Sequence, residues 1–221
     1  MTLQSIVECC DCMDFMARFS DKYFNLAIVD PPYGLPDRSK RGAGKLIKRK
    51  IQEMYDKGWD VPPEREYFDE LFRVSKNQII WGGNYFNLPP TRGFVIWDKK
   101  QPWFNFSRCE FAWNSIDGVA KIFEFDNRVG GKIHPTQKPV ALYIWQLQNY
   151  AKPGDKILDT HLGSQSSRIA ARIMGFDFWG CEIDPEYFAD GCKRFEKEAA
   201  QEMLFIPQQE KTEQPNLFNE E

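Results

Sequence analysis

No apolar run approaches the roughly 18 residues that a membrane-spanning helix needs, and no charged-then-apolar segment opens the chain. A helical span and a signal peptide are therefore not expected, and cytoplasmic residence is. Six cysteines are present (Cys9, Cys10, Cys12, Cys109, Cys181, Cys192), but Cys9 and Cys12 form the one C-x-x-C. With no second pair and no histidine at zinc-ligand spacing, we expect reduced thiols and no metal. Internal repeats are lacking as well. Net charge is only −3 over 221 residues, which at first disfavours a polyanionic partner. With 42% hydrophobic and 15% aromatic residues, the chain can bury a sizeable core without disulfides or oligomerisation. No second domain fits comfortably, so residues 1–200 are expected to form one catalytic domain and 201–221 an acidic, disordered tail.

What the chain does contain begins with Asp30-Pro31-Pro32-Tyr33, placed directly after the apolar run Leu26-Ala27-Ile28-Val29. Two successive prolines offer no backbone donors and fix φ, so the Pro31 carbonyl can be held beside the Asp30 carboxylate while Tyr33 supplies a stacking face. Such an acceptor-lined aromatic slot at a strand's carboxyl end suits a flat ring bearing an amine. A Pro-Pro turn after a buried strand is the plainer alternative.

The second half adds His134-Pro135-Thr136-Gln137-Lys138-Pro139, an apolar helical pattern through Leu147, and the turn Lys152-Pro153-Gly154-Asp155. A short buried strand, Lys156-Ile157-Leu158-Asp159, leads into Thr160-His161-Leu162-Gly163-Ser164-Gln165 and a helix that runs to Gly175. Strand, glycine-containing turn and helix frame a nucleotide-type cofactor site. The next strand ends in Glu182, about twenty residues past the loop, where a carboxylate can accept from ribose hydroxyls. Asp184-Pro185 reads as N-cap and first residue of a last helix.

The tetrapeptide and these blocks, in this order, resemble the beta class of S-adenosylmethionine-dependent DNA amino-methyltransferases, the circularly permuted branch of the N4/N6 family, over roughly residues 5 to 200. Asp at the tetrapeptide's head resembles the adenine-N6 enzymes. The resemblance implies an α/β, Rossmann-like methyltransferase fold: a seven-stranded, mostly parallel sheet with one antiparallel strand at an edge, and the strands of Asp30 and Asp159 side by side. It implies catalytic roles for Asp30, Pro31, Pro32 and Tyr33. Cofactor contacts are implied for Asp11, Asp30, His134, Thr136, Lys138, Asp159, Leu162, Gly163, Ser164, Gln165, Glu182 and Asp184, although Asp11 reads equally well as a helix N-cap. Relatives often dimerise. The absence of any Pro-Cys dipeptide argues against the cysteine-nucleophile chemistry of cytosine C5 methylation.

Strands are expected at Ser5 to Glu8, Leu26 to Val29, Gln78 to Trp81, Phe94 to Trp97, Glu110 to Trp113, Lys121 to Phe125, Lys156 to Asp159 and Phe178 to Cys181. Early helices are expected at Met13 to Phe19 and Glu64 to Val74, and Phe86 or Trp81 is a candidate second wall of the slot, with a core position the plainer reading of both. Charge is unevenly spread: Arg38, Lys40, Arg41, Lys45, Lys48, Arg49 and Lys50 occur with no intervening acid, whereas from Glu196 onward seven acids face Lys197 and Lys211. The basic segment, within a loop of 35–60 expected to be mobile, follows the slot closely and is read as a phosphate-contacting element for double-stranded DNA.

Two departures qualify the resemblance. Where relatives continue Gly-Ser-Gly the chain has Gly163-Ser164-Gln165, and Thr160-His161-Leu162 replaces the commoner Pro-Phe-x. Glycine at a positive φ is not freely replaced, so reduced cofactor affinity is expected. A DNA-binding homologue with weakened catalysis, an N4-cytosine enzyme and an RNA amino-methyltransferase stay open as alternatives. In the tail, Gln214, Leu217 and Phe218 are similar to the short peptide that docks bacterial replication and repair proteins on the sliding clamp.

Overall fold

The computed structural model describes residues 3–35, 61–102, 107–126, 133 and 136–205. In chain order these form β1 (Ser5–Cys9), α1 (Cys12–Met16), β2 (Phe24–Val29), α2 (Arg65–Val74) and β3 (Ser75–Trp81). A 3-10 turn (Gly83–Tyr85) follows, then β4 (Val95–Asp98), β5 (Cys109–Asn114) and β6 (Lys121–Glu124). The remainder is α3 (Val140–Tyr150), β7 (Lys156–Asp159), α4 (Ser166–Met174), β8 (Asp177–Glu182) and α5 (Pro185–Phe205).

The strands make one sheet in the order β1-β8-β7-β2-β3-β5-β4-β6. All neighbours pair in parallel except β5, which runs antiparallel to both β3 and β4. The mostly parallel sheet with one reversed strand is as expected. Its strands number eight rather than seven, and the reversed strand lies third from an edge rather than at it. The cause is the hairpin from β4: β5 returns between β3 and β4, and β6 then adds outside β4. Helix α1 is also shorter than expected, ending at Met16.

Period-two alternation along the central strands separates two cores. Leu26 and Ile28 of β2, with Ile79, Trp81, Ile157 and Phe178, pack against Leu142, Leu147, Ala170 and Ala171 of α3 and α4. Their alternates Ala27, Val29, Ile80, Leu158 and Trp179 pack on the opposite face against Phe15 and Met16 of α1 and Tyr67, Phe68, Leu71 and Val74 of α2. Strands covered on both faces read as near-continuous apolar runs, as Leu26 to Val29 do. Truncating one such side chain, Leu26→Ala for example, costs ~2–5 kcal/mol.

Strands β2 and β7 are parallel neighbours, with Leu26 opposite Ile157 and Ala27 opposite Leu158. From β2 the sheet continues outward to β3, and from β7 it continues the other way to β8, so the strand order reverses between them. Ligands of open α/β sheets bind outside the carboxyl ends at such a point, and Asp30 and Asp159 both stand there.

Candidate active site

A cavity of about 790 Å³ opens at this edge, lined from Asp11, Glu182 and Asp184 at one end to Trp97, Lys99 and Glu110 at the other. Of the residues assigned from the sequence, Asp30, Pro31, Pro32, Tyr33, Thr136, Lys138, Leu162, Gly163 and Ser164 line it between those ends. His134, the seven basic residues Arg38 to Lys50, and Gln214, Leu217 and Phe218 lie outside the described residues. Asp159 and Gln165 are buried but do not line the cavity.

The cofactor-type end is assembled by backbone groups. Glu182 Oε2 accepts from the Gly163 N–H at 2.8 Å and its Oε1 from the Asp184 N–H at 3.0 Å. Burial raises the Glu182 carboxyl, and these N–H groups oppose that. Asp11 caps α1, accepting from the Met13 N–H at 2.7 Å, and Asp184 caps α5, accepting from the Glu186 N–H at 2.8 Å. Both still line the cavity, so the capping and site roles are compatible.

Beneath the loop, Asp159 accepts from the His161 N–H at 3.0 Å and the Ser167 hydroxyl at 2.5 Å. Its carboxylate is spent on holding the turn, and burial pushes its pKa from 3.8 up to about 7. The residues that replace Pro-Phe form a polar triad: Thr160 Oγ1 is 2.7 Å from the Tyr67 hydroxyl and 2.9 Å from His161 Nδ1. Burial lowers His161 to about 4, so its ring is neutral near pH 7.

Gln165 takes the left-handed conformation at φ 59°, where relatives carry glycine. Its side chain turns away from the cavity. Oε1 accepts from Arg168 at 2.9 Å, and Nε2 donates to the Phe188 carbonyl at 3.4 Å and lies 3.2 Å from Cys192 Sγ. Room comes from Gly191 of α5: a Cβ there would stand 2.8 Å from Gln165 Cγ and 2.9 Å from the Gly163 carbonyl. Arg194 of the same helix donates to the Ser164 carbonyl at 2.8 Å. The long residue is thus accommodated beside a glycine of another helix while keeping the positive φ on which the expectation of weakened cofactor affinity rests.

The other end is organised by charge. Asp30 Oδ1 accepts from the Tyr33 hydroxyl at 2.6 Å, and its Oδ2 accepts from Lys138 Nζ. Tyr33 is seated by Gly82, at φ +69°, where a Cβ would fall 2.2 Å from the ring, and it stacks on Tyr85 with centroids 5.2 Å apart. Phe86 and Trp81 belong to the core, the plainer of the two readings of them, and neither lines the cavity. Trp81 is wholly buried with Lys138 Nζ 5.2 Å above its ring, and Phe86 packs against Phe68 in the lower core. The wall is built instead by Trp97, Lys99, Glu110 and Tyr143, which sequence reasoning did not single out. Lys99 and Glu110 were visible as charges at the ends of apolar strands, but hairpin register was needed to bring them to the site.

The donor set fits S-adenosylmethionine. Carboxylates of Asp11, Asp30, Glu182 and Asp184 surround a volume large enough for it, matching a sulfonium cation, and Glu182 stands where ribose hydroxyls are bound in this fold class. Sheet order and the position of the cavity define a Rossmann-like α/β fold. Residues 109–193 match the DNA methylase family of N6 and N4 methyltransferases. The Type II methyltransferase M2.MboI of Moraxella bovis is 24% identical over 238 residues, covering 84% of this chain and 85% of the relative. Among solved structures, the M1.HpyAVI–SAM complex superposes with a TM-score of 0.56 at 18% identity, covering 87% of this chain and 98% of that one. The cytosine-N4-specific PvuII DNA methyltransferase gives 0.59 at 14% identity, covering 90% and 92%. Tetrapeptide, cofactor loop and the match over residues 109–193 agree in pointing to the N6 and N4 DNA methylases, to which the chain is similar.

Proposed function

We propose that the protein methylates the exocyclic N6 amine of adenine in double-stranded DNA. The observation that carries this reading is one cavity holding the Asp30 carboxylate at its middle and the Glu182–Gly163 contact at its cofactor end. Bound S-adenosylmethionine supplies a methyl group activated on a sulfonium. The adenine amine is a weak nucleophile because its lone pair is delocalised into the ring, so the protein's task is orientation. A carboxylate has about four acceptor positions, so the bonds from Tyr33 and Lys138 leave Asp30 able to accept from the amine. A second acceptor in the Pro31 carbonyl pyramidalises the nitrogen and aims its lone pair for direct displacement, without a covalent intermediate. A stacked base cannot reach this depth, so it is flipped out at a cost of a few kcal/mol, which stacking on Tyr33, worth ~1–3 kcal/mol, offsets in large part.

Arg38, Lys40, Arg41, Lys45, Lys48, Arg49 and Lys50 serve this reading as phosphate contacts, residues 1–200 as the catalytic unit, and the cytoplasm as the compartment. Among the described residues no helix is long and apolar enough to cross a membrane. The finer partner assignments are a homodimer, tested by sedimentation, and a sliding clamp, tested by titrating a peptide of residues 210–221 against purified clamp, with Leu217→Ala plus Phe218→Ala as the control. The central experiment is incubation with labelled S-adenosylmethionine and unmethylated genomic DNA, followed by nucleoside analysis. N6-methyladenine is expected. N4-methylcytosine as the sole product would overturn the base assignment, and binding without product would favour the weakened homologue.

A further inference from the structure

The charges that meet Asp30 extend beyond its own neighbours. Lys138, on the segment before α3, is 4% exposed, and besides Asp30 Oδ2 it meets Glu110 Oε2 at 3.2 Å. Glu110 is the second residue of β5, and its other oxygen pairs at 2.5 Å with Lys99, just past β4. Four charges of alternating sign therefore run from the β4–β5 hairpin to the head of the tetrapeptide, and all four side chains line the cavity. Burial pushes the Lys138 ammonium down, but Asp30 and Glu110 outweigh it and the net shift is upward. For Glu110, burial raises the carboxyl, yet Lys138 and Lys99 hold it at about 2. Glu110 and Lys138 are therefore both charged near neutral pH.

Such an array is not explained by stability. Apolar side chains of similar volume often serve a core as well as or better than buried ion pairs, because charges must be stripped of water. Its placement points to the acceptor. If Lys138 met Asp30 alone, its whole charge would fall on the carboxylate that must receive the substrate amine, and the acceptor would be weakened. With Glu110 on its other side, the ammonium is shared between two carboxylates.

Resting on the adenine-methyltransferase reading, we infer that Glu110, supported by Lys99, is a positioning residue: it holds Lys138 between two carboxylates, so that Asp30 is oriented without being saturated as the amine's acceptor. Glu110 acts through Lys138, and Lys99 keeps the Glu110 carboxylate turned toward it.

The test uses Glu110→Gln, Glu110→Asp and Lys99→Met in the full chain. Transfer rate at saturating S-adenosylmethionine is measured on unmethylated genomic DNA, and cofactor Kd by calorimetry. Glu110→Gln should lower the rate at least tenfold with Kd within about twofold of the parent. Glu110→Asp should recover part of that loss, and Lys99→Met should lower the rate severalfold with Kd again unchanged. A merely structural role would move rate and Kd together and would not distinguish Gln from Asp. Parent-like rate in Glu110→Gln, or a proportionate loss of cofactor affinity, overturns the inference. If Glu110→Gln does not fold, Lys99→Met decides by the same criterion. Failure of the unsubstituted protein to methylate any DNA is a different result: the proposed function falls, and this inference with it.

Discussion

The two ends of the cavity are held by different physics. At the cofactor end, the contacts are neutral or backbone-directed: Glu182 on two N–H groups, Arg194 on the Ser164 carbonyl, and Asp159 on a hydroxyl and an amide. At the target end, Asp30, Lys138, Glu110 and Lys99 form a run of charges from separate elements. The cofactor end presents one fixed shape to one ligand, a job for short-range hydrogen bonds of defined direction. On the proposed function the target end accepts an amine that arrives only after base flipping, and longer-range charge can poise an acceptor before its partner is there.

The sharpest way to break the comparison is to delete one carboxylate at each end. Asp30→Ala should reduce turnover on the order of 10²–10³-fold, the scale for losing one preorganised transition-state contact, while cofactor Kd stays near the parent's. Glu182→Ala should do the reverse, weakening cofactor affinity about tenfold or more, since hydrogen bonds to charged groups are worth ~1.5–3 kcal/mol. Calorimetry and single-turnover assays on both variants check this. Equal losses of Kd in the two would show that the ends are not separate.

A smaller effect probes how the cofactor loop is braced from outside the cavity. Gly191→Ala places a methyl group against Gln165 Cγ and the Gly163 carbonyl, and should destabilise by ~1–3 kcal/mol, an overpacking cost, while weakening cofactor binding. Gln165→Gly relieves a left-handed residue worth roughly 1–2 kcal/mol but discards the buried amide's contacts. Its melting temperature should therefore fall slightly, with Kd unchanged. Tighter cofactor binding by Gln165→Gly would instead support the view that this residue degrades the site.

The smallest expected effect is a pH dependence hidden by cancellation. Asp159 is raised from 3.8 to about 7, so the stability it contributes is present below the lower value and lost as pH rises through the higher. His161 is lowered from 6.5 to about 4, so its contribution is present above pH 6.5 and lost as pH falls through 4. Between about 4 and 6.5 the two run against each other. Thermal melts across that window should slope upward with pH in Asp159→Asn, where His161 acts alone, and downward in His161→Phe, where Asp159 does. Equal slopes in the two variants would refute the assignment.

Much of this arrangement could be read along the chain because its causes are local. A four-residue apolar run before Asp30-Pro31-Pro32-Tyr33, a strand ended by Asp159 and a glycine-bearing turn each declare their conformation through neighbours a few residues away. The eight expected strands are all present within a residue or two at most ends. Gln165 was legible only in part: its positive φ could be read from its place in the loop, but the glycine that accommodates it lies 26 residues on, in another helix. The sequence by itself determined the strands, the tetrapeptide, the cofactor turn and their permuted order, since propensity, periodicity and turn chemistry act over short spans. Only the tertiary structure decided that β5 inserts between β3 and β4, and with it that Lys99 and Glu110 reach Lys138 and Asp30. Charges pair according to distance in space, and those distances exist only once the sheet has closed its register.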